Sequence, residues 1–153
     1  MAVELTPNGT YGTQMPKIPR PFSGVFWKLF SFAVRLRGLN LLDLTTVGAR
    51  TGREHTVPLS WFPDHREGWL IVGSHGGSRR HPAWVFNMAS HPDKVWIRIG
   101  RRKWHVQPES LQGAEREAAF RRIASLEPAY AGYEKKTDRV IPVVRLKPDP
   151  REV

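Results

Sequence analysis

Apolar residues along the chain follow two spacings, one helical and one extended. From residue 22 to 37 they recur every three or four positions, which predicts an amphipathic helix. From Asn40 onwards, short apolar or alternating runs are separated by glycine, proline and charged residues, which predicts strands and tight turns. We predict strands at Leu41–Val47, 55–62, 69–74, Val95–Ile99, 103–107 and 141–146. We predict further helices at 81–90 and around 119–126.

The order of these elements indicates the fold class. The strands are short, Gly100 and Arg101 suit a tight hairpin turn, and helices do not alternate strictly with strands. We therefore expect an α+β protein with a small, mainly antiparallel split β-barrel and flanking helices. We expect an irregular, partly mobile lead-in at 1–20, one barrel domain at 21–148 and a short tail at 149–153.

Composition narrows the classes of function. The chain has 153 residues and no cysteine, so thiolate catalysis and cysteine-based metal sites are excluded. It contains neither an apolar run of about 20 residues nor a secretion signal, so a cytoplasmic protein is expected. The net charge of +10 favours an anionic partner, such as a phosphate-rich ligand, a nucleic acid or an acidic membrane face. A genome rich in arginine codons would explain the same charge.

Two turns combine glycine with arginine beside a strand. The first is Gly-Ala-Arg-Thr-Gly-Arg at 48–53, where glycines allow tight turning and arginines supply donors to an anion. The second is Ser-His-Gly-Gly-Ser-Arg-Arg at 74–80. Each alone is equally compatible with an ordinary solvated turn. Together they predict that both turns converge on one anion, although neither matches a dinucleotide or nucleoside-triphosphate motif.

Other candidate residues are aromatic or imidazole side chains. Tyr130 and Tyr133 share one face if their segment is helical, where they would either wall a flat ligand or cap the core. The six histidines lack metal-ligand spacing, so ordinary surface or partly buried histidines and no metal are expected. Ser74 and Ser78 lack the nucleophile-elbow motif, so a serine hydrolase is not indicated.

Five segments, taken in order, resemble one known family. They are LDLTTVGARTG at 42–52, VPL at 57–59, GSHGG at 73–77, HPAWVFN at 81–87 and TDRVIPV at 137–143. The chain resembles the deazaflavin (coenzyme F-420)-dependent nitroreductase family of the flavin/deazaflavin oxidoreductases. These are split β-barrel proteins found mainly in actinobacteria. The resemblance extends over residues 22–148.

The resemblance implies a cofactor, a reaction and a set of site residues. The cofactor would be reduced 8-hydroxy-5-deazaflavin coenzyme F-420, whose phosphodiester and polyglutamate tail are anionic. It would pass a hydride to a quinone, a nitro-aromatic or another activated lipophilic acceptor. By position, the cofactor-binding residues would be Arg50, Thr51, His55, Pro58, Ser74, His75, Gly76, Gly77, Ala83 and Trp84. The residues implied at the substrate side are Ser74, Tyr130 and Tyr133, with Ser74 or Tyr130 as hydrogen-bond partner of the substrate oxygen.

Two departures from the family pattern affect the substrate range more than the cofactor. His75 stands where many relatives have lysine, and Ser60 follows Pro-Leu where several have an aromatic residue. Three alternatives remain open from the sequence: a barrel that binds flavin mononucleotide (FMN), a non-catalytic carrier, and a single-strand nucleic-acid binder. The last depends on Trp96, Trp104 and the basic residues between them. The helix at 22–37 would also suit a peripheral contact with the inner face of the cell membrane, near a lipophilic acceptor.

Overall fold

The computed structural model describes residues 3–14, four positions between 25 and 32, and residues 40–66 and 68–152. The strands are β1 Leu41–Val47, β2 Glu54–Ser60, β3 Phe62–Pro63, β4 Trp69–Val72, β5 Val95–Ile99, β6 Arg102–Ser110 and β7 Val143–Pro148. The helices are α1 Ala83–Ser90, α2 Gly113–Leu126 and α3 Ala129–Lys135, with short 3-10 turns at His75–Gly77 and Pro150–Glu152.

The strands form one curled antiparallel sheet. Its order is β2-β1-β5-β6-β7-β4-β3, so β2 and β3 lie at opposite edges. Only Trp61 separates these two strands along the chain, and a single residue cannot span a flat sheet of seven strands. The sheet therefore curls until its edges meet, which gives a split barrel. The predicted α+β class and split β-barrel are confirmed.

The prediction of one continuous strand at 55–62 is wrong. Strand β2 ends at Ser60, and the backbone N–H of Trp61 still donates to the carbonyl of Asn40, the residue next in register, at 3.0 Å. Phe62 then pairs with Leu70 at the other sheet edge. Residues 55–62 keep the pattern of one extended strand although they pass from one edge of the sheet to the other. The sequence therefore gives no sign of the break at Trp61. The last strand also begins two residues later than predicted.

Strand β4 ends two residues before the predicted 74, and β6 extends beyond the predicted 103–107, but other local predictions hold. Ile99 pairs with Arg102, which leaves Gly100 and Arg101 as the two residues of the hairpin turn. Helix α2 buries Ala119, Phe120 and Ile123 as expected from their spacing, whereas Leu126, expected on the same inner face, is 59% exposed. Tyr130 and Tyr133 do lie on a helix, α3, and their ring centroids are 5.6 Å apart.

The sheet and helices enclose two apolar clusters. The first lies between α1 and the strands β1, β5 and β6, and it includes the buried ring of Trp84. The second lies under α2 and α3, where Phe62, Phe120 and Ile123 pack with the half-buried Tyr130 and Tyr133. The tyrosine pair therefore borders a core and remains partly accessible.

The predicted helix at 22–37 lies mostly outside the described residues. Its four described positions, Val25, Lys28, Leu29 and Phe32, are helical and exposed. In the part of the chain that is described, no helix has the length and apolarity needed to cross a membrane.

The N-terminal segment, residues 3–14, has little regular structure but is docked on the barrel. Val3 is buried in the first apolar cluster. Gly9 donates its backbone N–H to the carbonyl of Arg79 at 2.8 Å, and Thr13 donates to the carbonyl of Gly77 at 3.0 Å. The segment therefore lies across the second Gly/Arg turn. The predicted boundaries at 20/21 and 148/149 stay predictions.

Candidate functional site

The first Gly/Arg turn joins β1 to β2. Its closure depends on Gly48, whose N–H donates to the Arg53 carbonyl at 2.7 Å and whose carbonyl accepts from Gly52 at 2.9 Å. The hydroxyl of Thr51 accepts from the N–H of Arg53 at 3.2 Å and lies 3.5 Å from Nε2 of His55. The structure therefore brings Thr51 and His55 together. Arg50 is exposed at the tip of the turn.

This turn is attached to helix α1 through a buried amide. Ala49 donates its N–H to Oδ1 of Asn87 at 3.0 Å. The Nδ2 of Asn87 donates in turn to the hydroxyl of Thr46 at 3.1 Å. Because Asn87 is buried and satisfied on both sides, it holds the turn in one position relative to the helix.

The second Gly/Arg turn follows β4 and has an uncommon backbone. Ser74 has right-handed helical angles of −71° and −39°, whereas His75, Gly76 and Gly77 have φ values of 44°, 61° and 80°. A right-handed residue followed by a left-handed one turns successive backbone N–H groups towards a common concavity, which suits an anion. Gly77 is required, because a Cβ there would lie 2.9 Å from the carbonyl oxygen of Tyr133.

The tyrosine pair contacts both this turn and the closing edge of the barrel. Helix α3 packs against the turn at Gly77. The Tyr130 hydroxyl makes a hydrogen bond with Ser60, and its burial raises the pKa of Tyr130 to about 12. The ring of Phe62 stands edge-on to Tyr130, with centroids 5.5 Å apart. Tyr130 therefore stays protonated at neutral pH and its position is fixed.

The remaining predicted site residues occupy different environments. Pro58 is half-buried in β2, and Ala83 is exposed at the first position of α1. Trp84 is packed in the core with 6% of its surface exposed, so little of its ring is available to a ligand. Desolvation, together with the nearby positive charge of Arg139, lowers the pKa of His75. His75 is therefore neutral at pH 7 and adds no positive charge to the turn.

Both turns are connected to the same short helix. The first is hydrogen-bonded to Asn87 within α1, and the second leads into the start of α1 through residues 78–82. Asn87 is four residues, about one helical turn, from Ala83. The tyrosine pair lies against the second turn. The roles of these residues in binding and catalysis stay predictions.

Sequence reasoning missed Arg139 and the role of His81. Arg139 is 5% exposed and donates hydrogen bonds to the carbonyls of Gly73, Ser74 and Ser78. His81, predicted to be an ordinary surface or partly buried histidine, is 3% exposed and hydrogen-bonded to Arg139. Arg139 lies in the TDRVIPV segment at 137–143, directly after Asp138, and the charged pair gives no local sign that the arginine is buried.

The aromatic residues of the β5–β6 hairpin pack against other side chains of the chain. Trp104 packs against Trp69 with centroids 4.9 Å apart and borders the first apolar cluster. Lys103 lies 5.7 Å above the ring of Trp96. Neither ring is presented as an open stacking platform, which disfavours the single-strand binding interpretation.

A cavity of about 320 Å³ lies elsewhere, bordered by Asp93, His105, Glu109 and Asp149, and it includes none of the predicted site residues. Among the described residues, no three histidine or carboxylate side chains are placed to hold a metal ion.

Comparisons with known proteins agree with the fold and the motifs. The model of the F420H(2)-dependent quinone reductase family matches residues 30–148. A Mycobacterium tuberculosis protein described as an F420H(2)-dependent quinone reductase is 35% identical over 108 residues, which are 69% of this chain and 71% of that protein.

Two solved structures are also similar. One is described as an F420-H2 dependent reductase; it is 33% identical, with 71% of this chain and 94% of that chain covered and a TM-score of 0.62. The other is described as a domain-swapped dimer; it is 29% identical, with 82% of this chain and 100% of that chain covered and a TM-score of 0.62. With the family model spanning the barrel from before β1 to the end of β7, this chain belongs to the F420H(2)-dependent quinone reductase family of oxidoreductases.

Proposed function

We propose that this chain binds reduced coenzyme F-420 between its two Gly/Arg turns and reduces a quinone. The observation that carries the proposal is the attachment of both turns to helix α1, one through Asn87 and the other through residues 78–82. The donors present suit the anionic parts of this cofactor: the exposed Arg50 and Thr51 on one turn, and the concave backbone at Ser74 and His75 on the other.

The cofactor supplies a hydride when bound. The balanced reaction adds that hydride and one solvent-derived proton to the quinone, which becomes the hydroquinone. The chain holds the charged groups, excludes water with the half-buried rings of Tyr130 and Tyr133, and orients the acceptor oxygen. Nitro-aromatics and other activated lipophilic acceptors are alternative substrates of the same arrangement.

The direct test of the proposal is a comparison of cofactors and acceptors. Purified protein with reduced coenzyme F-420 and a menaquinone analogue is expected to show turnover, followed by the absorbance of the oxidised cofactor. The same assay with reduced FMN is expected to show none above background. Turnover with FMN alone, or saturable binding of coenzyme F-420 without turnover of any acceptor, would contradict the proposal.

Tyr130 is proposed to donate a hydrogen bond to the acceptor oxygen. Because its pKa is raised to about 12, it keeps its proton at neutral pH and stabilises developing negative charge without losing that proton. Tyr130→Phe is expected to lower kcat by about three- to tenfold, with the KM for the cofactor unchanged.

Ser60→Ala is the matched control for this prediction. It removes the hydrogen-bond partner of Tyr130 but leaves the phenolic donor, so kcat is expected to stay within about twofold. An unchanged kcat in Tyr130→Phe would show that Ser74 or water, and not Tyr130, donates the hydrogen bond to the acceptor oxygen.

The exposed apolar positions near the N-terminus are proposed to touch a membrane surface, where lipophilic quinones reside. Val25, Leu29 and Phe32 are 59%, 64% and 62% exposed, and their spacing places them on one side of a helix. The net charge of +10 would favour an anionic leaflet.

Sedimentation with vesicles that contain anionic phospholipid is expected to pellet the wild-type protein. The triple change of Val25, Leu29 and Phe32 to serine should reduce the bound fraction several-fold. Leu126→Ser, which changes another exposed apolar residue on α2, is the control and should bind as wild type. Equal binding of both variants would contradict this contact.

A further inference from the structure

Arg139 lies behind the second Gly/Arg turn and donates hydrogen bonds to three backbone carbonyls there. Its Nε donates to the carbonyl of Ser78 at 2.7 Å. Its Nη1 donates to the carbonyl of Gly73 at 3.0 Å, and its Nη2 donates to that of Ser74 at 2.7 Å. One buried guanidinium therefore holds three peptide groups at both ends of the turn.

The acceptors around Arg139 are neutral groups. Besides the three carbonyls, Nη1 lies 3.1 Å from Nδ1 of His81. Burial lowers the pKa of Arg139 to about 10, which still leaves it charged at neutral pH. Arg145 provides a contrast, because its equally buried guanidinium is paired with the carboxylate of Asp64. The positive charge of Arg139 therefore strengthens its hydrogen bonds to the peptide carbonyls of the turn.

The direction of these carbonyls determines where the amides point. In a trans peptide group, the C=O and the N–H point in opposite directions. The carbonyls of Gly73 and Ser74 point at Arg139, so the N–H groups of Ser74 and His75 point away from it. The change from right-handed Ser74 to left-handed His75 brings those N–H groups towards one concavity.

We infer that Arg139 is the positioning residue of the cofactor-binding turn: it orients the amides of Ser74 and His75 towards an anionic group of the deazaflavin cofactor without touching the cofactor itself. The inference rests on the proposed function, because it assigns the anion to coenzyme F-420.

His81 connects this arrangement to the N-terminal segment. Arginine can only donate, so Nδ1 of His81 accepts from Arg139 and the ring proton lies on Nε2. Nε2 then donates to the carbonyl of Thr6 at 2.8 Å. Burial, assisted by the charge of Arg139, lowers the pKa of His81 and favours this neutral form. The N-terminal segment thereby fixes the ring that accepts from Arg139.

The test is Arg139→Lys, measured by titration of the purified full chain with coenzyme F-420. An ammonium group keeps the charge but cannot reach three separated carbonyls in fixed directions. The Kd for coenzyme F-420 is expected to rise by roughly tenfold. Its dependence on salt should become weaker, because an anion contact is lost. The KM for the quinone should stay within about twofold.

Arg145→Lys is the matched control, since it alters another buried arginine that makes no contact with the turn. It should lower stability but leave the Kd for coenzyme F-420 and the salt dependence unchanged. Equal effects of the two variants on the Kd, or a folded Arg139→Lys protein that binds as wild type, would overturn the inference. If wild-type protein fails to bind coenzyme F-420, the proposed function itself fails.

A second variant covers the case in which Arg139→Lys does not fold. His81→Phe keeps an aromatic ring and the three carbonyl contacts of Arg139 but removes the imidazole acceptor. The Kd for coenzyme F-420 is then expected to rise by about two- to fivefold, with weaker salt dependence. Unchanged affinity in a folded His81→Phe protein would contradict the positioning role.

Discussion

Gly77→Ala is expected to lower the free energy of unfolding by about 2–4 kcal/mol and to raise the KM for coenzyme F-420 by more than about tenfold. Gly77 has a φ of 80°, which disfavours any residue with a Cβ. The added Cβ would also lie 2.9 Å from the carbonyl oxygen of Tyr133 and 2.9 Å from the Cβ of Lys136. Relief of either contact moves the turn away from helix α3, and with it the backbone proposed to bind the cofactor. Chemical denaturation and steady-state kinetics measure the two effects.

Gly52→Ala separates backbone strain from close packing. Gly52 also has a positive φ of 67°, but among the described residues no atom outside its chain neighbours lies within 4 Å of the place that an added Cβ would take. Only the backbone penalty of about 1 kcal/mol is expected there, without a clash. If both variants lose the same stability, the contact with Tyr133 is not what makes Gly77 necessary.

Arg145→Met is expected to lower the free energy of unfolding by about 3–5 kcal/mol, because it leaves a buried carboxylate without its partner. The side chains of Arg145 and Asp64 are each 3% exposed and form an ion pair. Glu115 and Glu109 add contacts at 3.3 and 3.7 Å from Nη1 of the same guanidinium. Urea denaturation at pH 7 measures the loss, and binding of coenzyme F-420 by the remaining folded protein should be unaffected.

The same ion pair predicts a pH dependence. Burial raises the pKa of Asp64, but the hydrogen bond and charge of Arg145 outweigh it and hold the pKa below 3.8. A depressed pKa contributes stability above the unfolded value, and that contribution is lost as the pH falls through the folded value. Wild-type stability should therefore decline below about pH 4, and Arg145→Met should show less of this decline.

Arg66→Met is the control for Arg145→Met. Its guanidinium is 67% exposed and lies 3.9 Å from Glu115, so its removal should change the free energy of unfolding by less than about 1 kcal/mol. A similar loss in both variants would show that burial does not set the strength of the Arg145 pair.

The sequence was most informative where structure depends on near neighbours. Leu41–Val47 and Val95–Ile99 were predicted with the bounds that the structure has, because a short apolar run ended by glycine and an alternating run are both local signals of a strand. The hairpin turn at Gly100 and the shared face of Tyr130 and Tyr133 follow from equally local geometry. The order of five short motifs identified the family and its cofactor, which the family comparison confirms.

The tertiary structure decided what depends on residues far apart in the chain. Closure of the barrel divides the apolar run at 55–62 at Trp61, since its two halves pair with different edges of the sheet. Arg139 reaches carbonyls more than 60 residues earlier, and His81 reaches Thr6 across 75 residues. Such contacts leave no periodic trace in the sequence, because hydrogen bonds to backbone carbonyls require no particular partner side chain. The sequence therefore shows the residue types that suit anion binding. Only the fold shows that Arg139 and His81 orient the backbone of the turn.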